Sequence, residues 1–176
     1  MPRRTVFIAD DYDLSETMEE VALRLRSQGI NVIRGPKTIK GKKLEYPKEM
    51  YLELFAEAEV AMFSSRSICS KDIMLAAPKL RGIVNPTIGV DTVDMKAANE
   101  LGIIVGNGAI PENFISMAEA TVLFMLMLLY NPNRTEAVLR ENKPKPVESQ
   151  HWSRMMRGRT IGIVGLGRIG KSIIER

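Results

Sequence analysis

A doubly wound α/β fold, a parallel sheet covered by helices, is predicted by three observations. Short β-rich runs alternate with helical patterns through the first hundred residues. Apolar residues within the helical stretches recur every three to four positions, and glycine or proline marks the junctions. Strands that alternate with helices imply parallel crossovers, and ligands on such sheets gather at the carboxyl ends of the strands.

Thr5–Ala9 is the first predicted strand, followed by a helix over Ser15–Gln28 with Met18, Val21, Ala22 and Leu25 on one face. Gly29 ends that helix and Ile30–Ile33 resumes as strand. Residues 35–47 mix lysines with glycine and proline and read as a loop. Pro47 opens a helix toward Ala58. Val60–Phe63 is a strand, and Ser64–Ser67 a turn. Ser70 caps a helix that Pro78 stops, and Leu80–Val84 is the next strand. Asp91 and Asp94 are helix caps in this reading. Asp94–Leu101 is helical, Gly102 ends it, and Ile103–Val105 is a further strand.

A different unit starts near Pro111. Asn113–Tyr130 is one helix, apolar nearly all round with Glu119 its only charge, so most of its faces should be buried in a core or against another subunit. Met117, Met125 and Met127 are expected as core filler. Asn131-Pro132 ends the helix, and Lys143-Pro144-Lys145-Pro146 cannot be regular helix.

Composition narrows the function classes. The 176 residues are 45% hydrophobic and 26% charged, as in ordinary globular proteins. The net charge of +4 resides in residues 131–159, with seven basic and three acidic side chains; this segment lacks an aromatic stacking series and reads as a solvated arm, with no nucleic-acid partner expected. The single cysteine, Cys69, excludes an intrachain disulfide and is expected to be inert. No metal site is readable. The N-terminus carries no secretory signal, and the apolar stretch Ala120–Tyr130 is shorter than the roughly 20 residues of a bilayer span, so a cytoplasmic protein without a membrane partner is expected.

One stretch carries chemistry. Thr160-Ile161-Gly162-Ile163-Val164 reads as a strand, Gly165-x-Gly167-x-x-Gly170 as a tight turn, and Lys171-Ser172-Ile173-Ile174 as the start of a helix. This is the context of a dinucleotide fingerprint. Gly165 permits the turn, Gly167 lets the backbone approach a pyrophosphate, and Gly170 lets helix and strand pack closely. Gly165, Gly167, Arg168, Ile169 and Gly170 are therefore the candidate cofactor-binding residues, at the start of a Rossmann NAD-binding domain. The chain stops six residues after the motif.

Together these residues resemble the NAD-dependent D-isomer-specific 2-hydroxyacid dehydrogenase family, which includes phosphoglycerate dehydrogenase and glyoxylate/hydroxypyruvate reductase. Four stretches carry the likeness, in the family's order: Ala76–Arg81 with Ile88–Asp94; Ala97-Ala98 through Leu101–Val105; Asn113 with Ser116–Glu119; and Trp152 with Gly158–Gly170.

The resemblance implies a flavodoxin-like substrate-binding domain over residues 1–110. Residues 111–176 would open the NAD-binding domain, truncated after the glycine motif, with the apolar helix and basic arm forming a homodimer interface. The implied reaction interconverts a 2-hydroxy acid and a 2-keto acid by hydride transfer to NAD, with NADP left open. Substrate carboxylate would bind backbone N–H groups at Ile88 and Gly89, and Arg66 would pair with an anionic group. Asn85 and Thr87 stand where common members have arginine and glycine. No catalytic residue is assigned: the family's histidine, carboxylate and arginine lie beyond its glycine motif, and His151 matches none of them. The chain alone is expected to be inactive. Two other readings stay open, a nucleotide-sensing corepressor-like binding protein and a non-catalytic dimerising fragment.

Overall fold

The computed structural model describes residues 4–144, 147 and 152–176. The chain forms two compact units, Met1–Ala109 and Ile110–Arg176.

The first unit is a five-stranded parallel sheet: β1 (Thr5–Ile8), β2 (Asn31–Arg34), β3 (Val60–Met62), β4 (Gly82–Asn85) and β5 (Ile104–Asn107), in spatial order β2-β1-β3-β4-β5. This is the flavodoxin-like order, and its direction reverses between β1 and β3. Alternate residues of a strand face opposite sides of the sheet. On one side Ile8 packs with Met18 and Ala22 of α1 (Ser15–Ser27). On the other, Phe7, Ala61 and Ile83 pack beneath α2 (Tyr51–Phe55), α3 (Lys71–Leu75) and α4 (Met95–Glu100). Aromatic edges tighten that layer: Phe7 meets Phe55 at 4.7 Å between centroids and 66° between planes. Over β4 and β5, no helix of the first unit's described residues covers the α1 side of the sheet, and Ile104 is 77% exposed.

Local chemistry accounts for the helix ends. Ser70 Oγ accepts the Ile73 N–H at the start of α3, and Asp94 Oδ1 accepts the Ala97 N–H at 2.9 Å at the start of α4. Asp91 plays no such part in α4. The helix expected from Pro47 to Ala58 is a 3-10 turn, Lys48–Met50, followed by the short α2.

The second unit contains α5 (Pro111–Tyr130), α6 (Pro132–Arg140) and α7 (Arg168–Ile174). Asn131 ends α5 in the left-handed conformation, φ 45°, but Pro132 then starts α6, which the sequence reading missed. Proline at a first helical position starts a helix as readily as it stops one. The expected strand Thr160–Val164 is absent as a ladder: among the described residues this unit holds no second strand to pair with it, and Val164 is fully exposed.

α5 departs from the expected core burial of its methionines and from the length of the apolar run. Ala118 is its only residue recorded as buried, so its apolar faces, Met117 included, are largely open. It also starts earlier than the apolar run; its 20 residues, of mean hydropathy 1.6, are long and apolar enough to cross a membrane by length and composition alone. α7 packs on α5, with the Arg168 guanidinium 4.9 Å from the centre of the Phe114 ring and Arg176 Nη2 3.2 Å from Glu119 Oε1.

Candidate functional site

The carboxyl ends of β3 and β4 form a cleft of about 360 Å³, lined by Lys43, Ser65, Arg66, Thr87, Gly89 and Asp91 among others. The structure therefore brings together Arg66 and Gly89, and Ile88 lies between Gly89 and Thr87.

Arg66 is placed by its backbone. Ser64, fully buried, accepts the Arg66 N–H on its hydroxyl at 3.1 Å, while its carbonyl accepts the Thr92 hydroxyl at 3.1 Å. From the other side, the Leu44 N–H donates to the Arg66 carbonyl at 2.7 Å, and Ile68 N–H donates to Leu44 at 2.9 Å. The lysine-bearing loop 35–47 is thus stapled to the turn after β3, which puts Lys43 in the cleft. The Arg66 guanidinium donates to Asp13 Oδ2 at 2.6 Å and lies 5.0 Å from the centre of the Tyr12 ring. Its Nε is buried without a partner among the described residues.

The loop after β4 is held in three places. Asn85, fully buried at the end of β4, accepts the Thr87 N–H (3.0 Å) and hydroxyl (2.7 Å) on Oδ1. Asn107 Nδ2 donates to the Ile88 carbonyl at 2.7 Å, and the Gly108 N–H to the Thr87 carbonyl at 3.1 Å. Among the described residues, none accepts from the N–H of Ile88, Gly89 or Val90. A short row of open main-chain donors is a ready anion cradle. Asp91 sits beside it: a Cβ on Gly89 would approach Asp91 Oδ2 to 2.8 Å.

Sequence reasoning singled out Arg66, Ile88 and Gly89 but missed Tyr12, Asp13, Lys43, Asn107 and Gly108. The Asn107-Gly108 dipeptide was a readable turn signal. Nothing local tied Asp13 to Arg66. Cys69 is fully buried; burial, then the nearby Asp94, pushes its thiol up to about 12, which makes it a poor nucleophile near neutral pH. His151 lies outside the described residues, as do Lys145 and Pro146 of the basic arm.

In the second unit, Gly165 has φ +92°, in the region that favours glycine. Gly170 is buried in α7, and a Cβ there would overlap the Gly165 carbonyl oxygen. Gly167 is the residue before α7, and Arg168 and Ile169 are its first two. The five motif residues thus form one turn closing onto one helix. Among the described residues no group of His, Cys, Asp and Glu could hold a metal ion.

Comparison with known proteins gives these features a family. The model of the D-isomer specific 2-hydroxyacid dehydrogenase catalytic domain matches residues 14–161. The chain is 35% identical over 135 residues to the D-3-phosphoglycerate dehydrogenase of Methanocaldococcus jannaschii, covering 73% of this chain and 24% of that enzyme. It is 31% identical over 151 residues to the glyoxylate reductase of Pyrococcus horikoshii, covering 77% and 42%. The crystal structure of an NADPH-dependent glyoxylate/hydroxypyruvate reductase from Sinorhizobium meliloti shares the fold, with a TM-score of 0.69 at 22% identity over 99% of this chain and 50% of that one. The chain thus spans about a quarter of the length of the phosphoglycerate dehydrogenase it matches. With the family model covering most of its length and two such relatives above 30% identity, the chain belongs to the D-isomer specific 2-hydroxyacid dehydrogenases.

Proposed function

We propose that residues 1–110 are the substrate-binding domain, and residues 111–176 the opening of the cofactor domain, of an NAD(P)-dependent oxidoreductase that interconverts 2-hydroxy and 2-keto acids. One observation carries this reading: Gly89, whose N–H is open like that of its neighbour Ile88, lines one cleft with Arg66 beside the point where the strand order reverses. A carboxylate bound to those donors needs no side chain to hold it, and glycine leaves it room to approach. Arg66, paired with Asp13, lines the same cleft as a hydrogen-bond donor to the acid.

The glycine turn fits a dinucleotide. Gly165 adopts the backbone angle such a turn requires, and its carbonyl oxygen leaves no room for a side chain at Gly170. Gly165, Gly167, Arg168, Ile169 and Gly170 would hold the pyrophosphate. NAD(P), when bound, supplies the hydride acceptor or donor. The acid and base of the reaction are not assigned to any residue of this chain, and we infer that the chain alone does not turn over substrate.

The apolar surface of α5 fits a second copy of the chain, since Glu112 and Glu119 interrupt it as a lipid-facing helix. We accordingly read the protein as a cytoplasmic homodimer with neither a membrane nor a nucleic-acid partner. A ¹⁵N-labelled sample titrated with D-lactate tests the site. The Ile88, Gly89 and Val90 amides should shift together, and silence from all three in a folded sample overturns the reading.

A further inference from the structure

The cleft contains an unusual charge balance. Its cations are Lys43 and Arg66, and its lining anion is Asp91. A second anion, Asp13 on the loop after β1, does not line the cleft but takes one edge of the Arg66 guanidinium at 2.6 Å. Arg66 thus has the Asp13 carboxylate bonded to it and the buried Asp11 close enough to act on it, while Asp91 lines the cleft. Lys40 and Lys42, on the same loop as Lys43, are exposed and do not line the cleft.

Asp13 is held where it stands. Asp11, 1% exposed, accepts the N–H of Asp13 at 2.9 Å and that of Leu14 at 3.3 Å on one oxygen, a side-chain turn that fixes the backbone leading into α1. Tyr12, between them, gives its ring to the Arg66 guanidinium. One loop thus sets both the plane and the charge of the arginine, across 53 positions of sequence.

This has a consequence for the acid that enters. Its carboxylate takes the donors at Ile88–Val90, a step that rests on the reading given above. A second anionic group on the same molecule would have to share Arg66 with Asp13 while lying close to Asp91. It would gain only the exposed Lys43, a hydrated point charge. An uncharged remainder, such as a methyl or hydroxymethyl group, meets neither carboxylate at a cost.

We propose that Asp13 is a specificity-determining residue: by neutralising Arg66 it suits the cleft to 2-hydroxy and 2-keto acids with a single negative charge and disfavours phosphorylated ones. It acts through Arg66 without touching the acid itself.

The ¹⁵N-labelled 176-residue chain tests this by titration with D-lactate and, separately, 3-phospho-D-glycerate at fixed ionic strength, read at the Ile88, Gly89 and Val90 amides. The wild-type chain should bind the phosphorylated acid no more tightly than D-lactate. Asp13→Asn should tighten the phosphorylated acid about fivefold or more, the scale of a strong exposed ion pair, and change D-lactate by less than about twofold. Asp13→Ser, at the same exposed position, should do the same. Adding Arg66→Gln to Asp13→Asn should abolish the gain. A wild-type preference for the phosphorylated acid, or an unchanged ratio in both Asp13 variants, overturns the proposal while the responding amides leave the carboxylate site standing. No response to either acid in a folded sample overturns both.

Discussion

The carbonyl oxygen of Pro86 occupies the space that a Cβ on residue 108 would take, so only glycine fits at Gly108. The contact locks the end of β5 against the loop after β4, where the Gly108 N–H also bonds to Thr87. The candidate carboxylate cradle is therefore shaped by a neighbouring strand as well as by its own residues.

Gly108→Ala should force that loop outward. A loss of about 1–3 kcal/mol of stability is expected, the usual cost of overpacking, together with displaced amide resonances at Ile88 and Gly89. Urea unfolding and an amide spectrum measure the two effects. An unmoved loop at unchanged stability would contradict the contact with Pro86.

The Asp10 carboxylate clamps the start of the lysine-bearing loop. It accepts from Lys37 at 2.9 Å, from the Thr38 N–H at 2.8 Å and from the Thr38 hydroxyl at 3.0 Å. Burial pushes this carboxyl up, but the Thr38 N–H, Lys37 and the Thr38 hydroxyl together outweigh it and hold the group below its ordinary value of 3.8. A group depressed in the folded state contributes stability that is present above the unfolded value and lost as pH falls through the folded one. Acid titration of the unfolding free energy should show this loss below about pH 4. Asp10→Asn should flatten that part of the curve and cost about 1–3 kcal/mol at pH 7.

Cys69 should resist alkylation and disulfide reagents at pH 8 in the native protein and react fully in denaturant. Mass spectrometry after a timed iodoacetamide pulse distinguishes the states. Rapid native labelling would contradict the burial described above.

Phe124 and Leu128 of α5 are 62% and 84% exposed, so replacing them should not disturb the unit's own packing. Phe124→Glu with Leu128→Glu should convert a dimer to a monomer in light scattering with little change in thermal midpoint. A wild-type chain that is already monomeric at high concentration would remove the case for this interface.

Gly170→Ala should part α7 from the Gly165 turn and weaken dinucleotide binding at least tenfold, about 1.4 kcal/mol. Tryptophan-to-nicotinamide energy transfer or calorimetry reads the affinity. Gly167→Ala, where a Cβ meets nothing within 4 Å, separates steric closure from approach to the cofactor: it should leave the fold intact and weaken binding only.

Much of this architecture was legible in consecutive residues. Four of the five strands of the sheet overlap predicted runs over most of their length, and the fifth, β5, lies partly beyond its run. The caps at Ser70 and Asp94 are local hydrogen bonds that any chain with those residues ahead of a helix tends to form. Of the candidate site, Arg66 and Gly89 were visible because a turn after a strand is visible. Their company was not, because Asp13 and Lys43 enter through other loops. Thr160–Val164 failed in the opposite sense: its apolar pattern is that of a strand, but a strand exists only when a neighbour accepts its hydrogen bonds.

By itself, then, the sequence determined the alternation of strands and helices, the glycines of the turn before α7 and the family to which they belong, because periodicity, capping and backbone freedom are properties of neighbouring residues. Tertiary structure alone decided that Asp13 neutralises Arg66, that Asn107 and Gly108 shape the loop around Gly89, and that α5 presents its apolar side outward. Those relations depend on which strands lie side by side and on what each helix finds to cover. Crossover packing sets both, over separations that no local pattern spans.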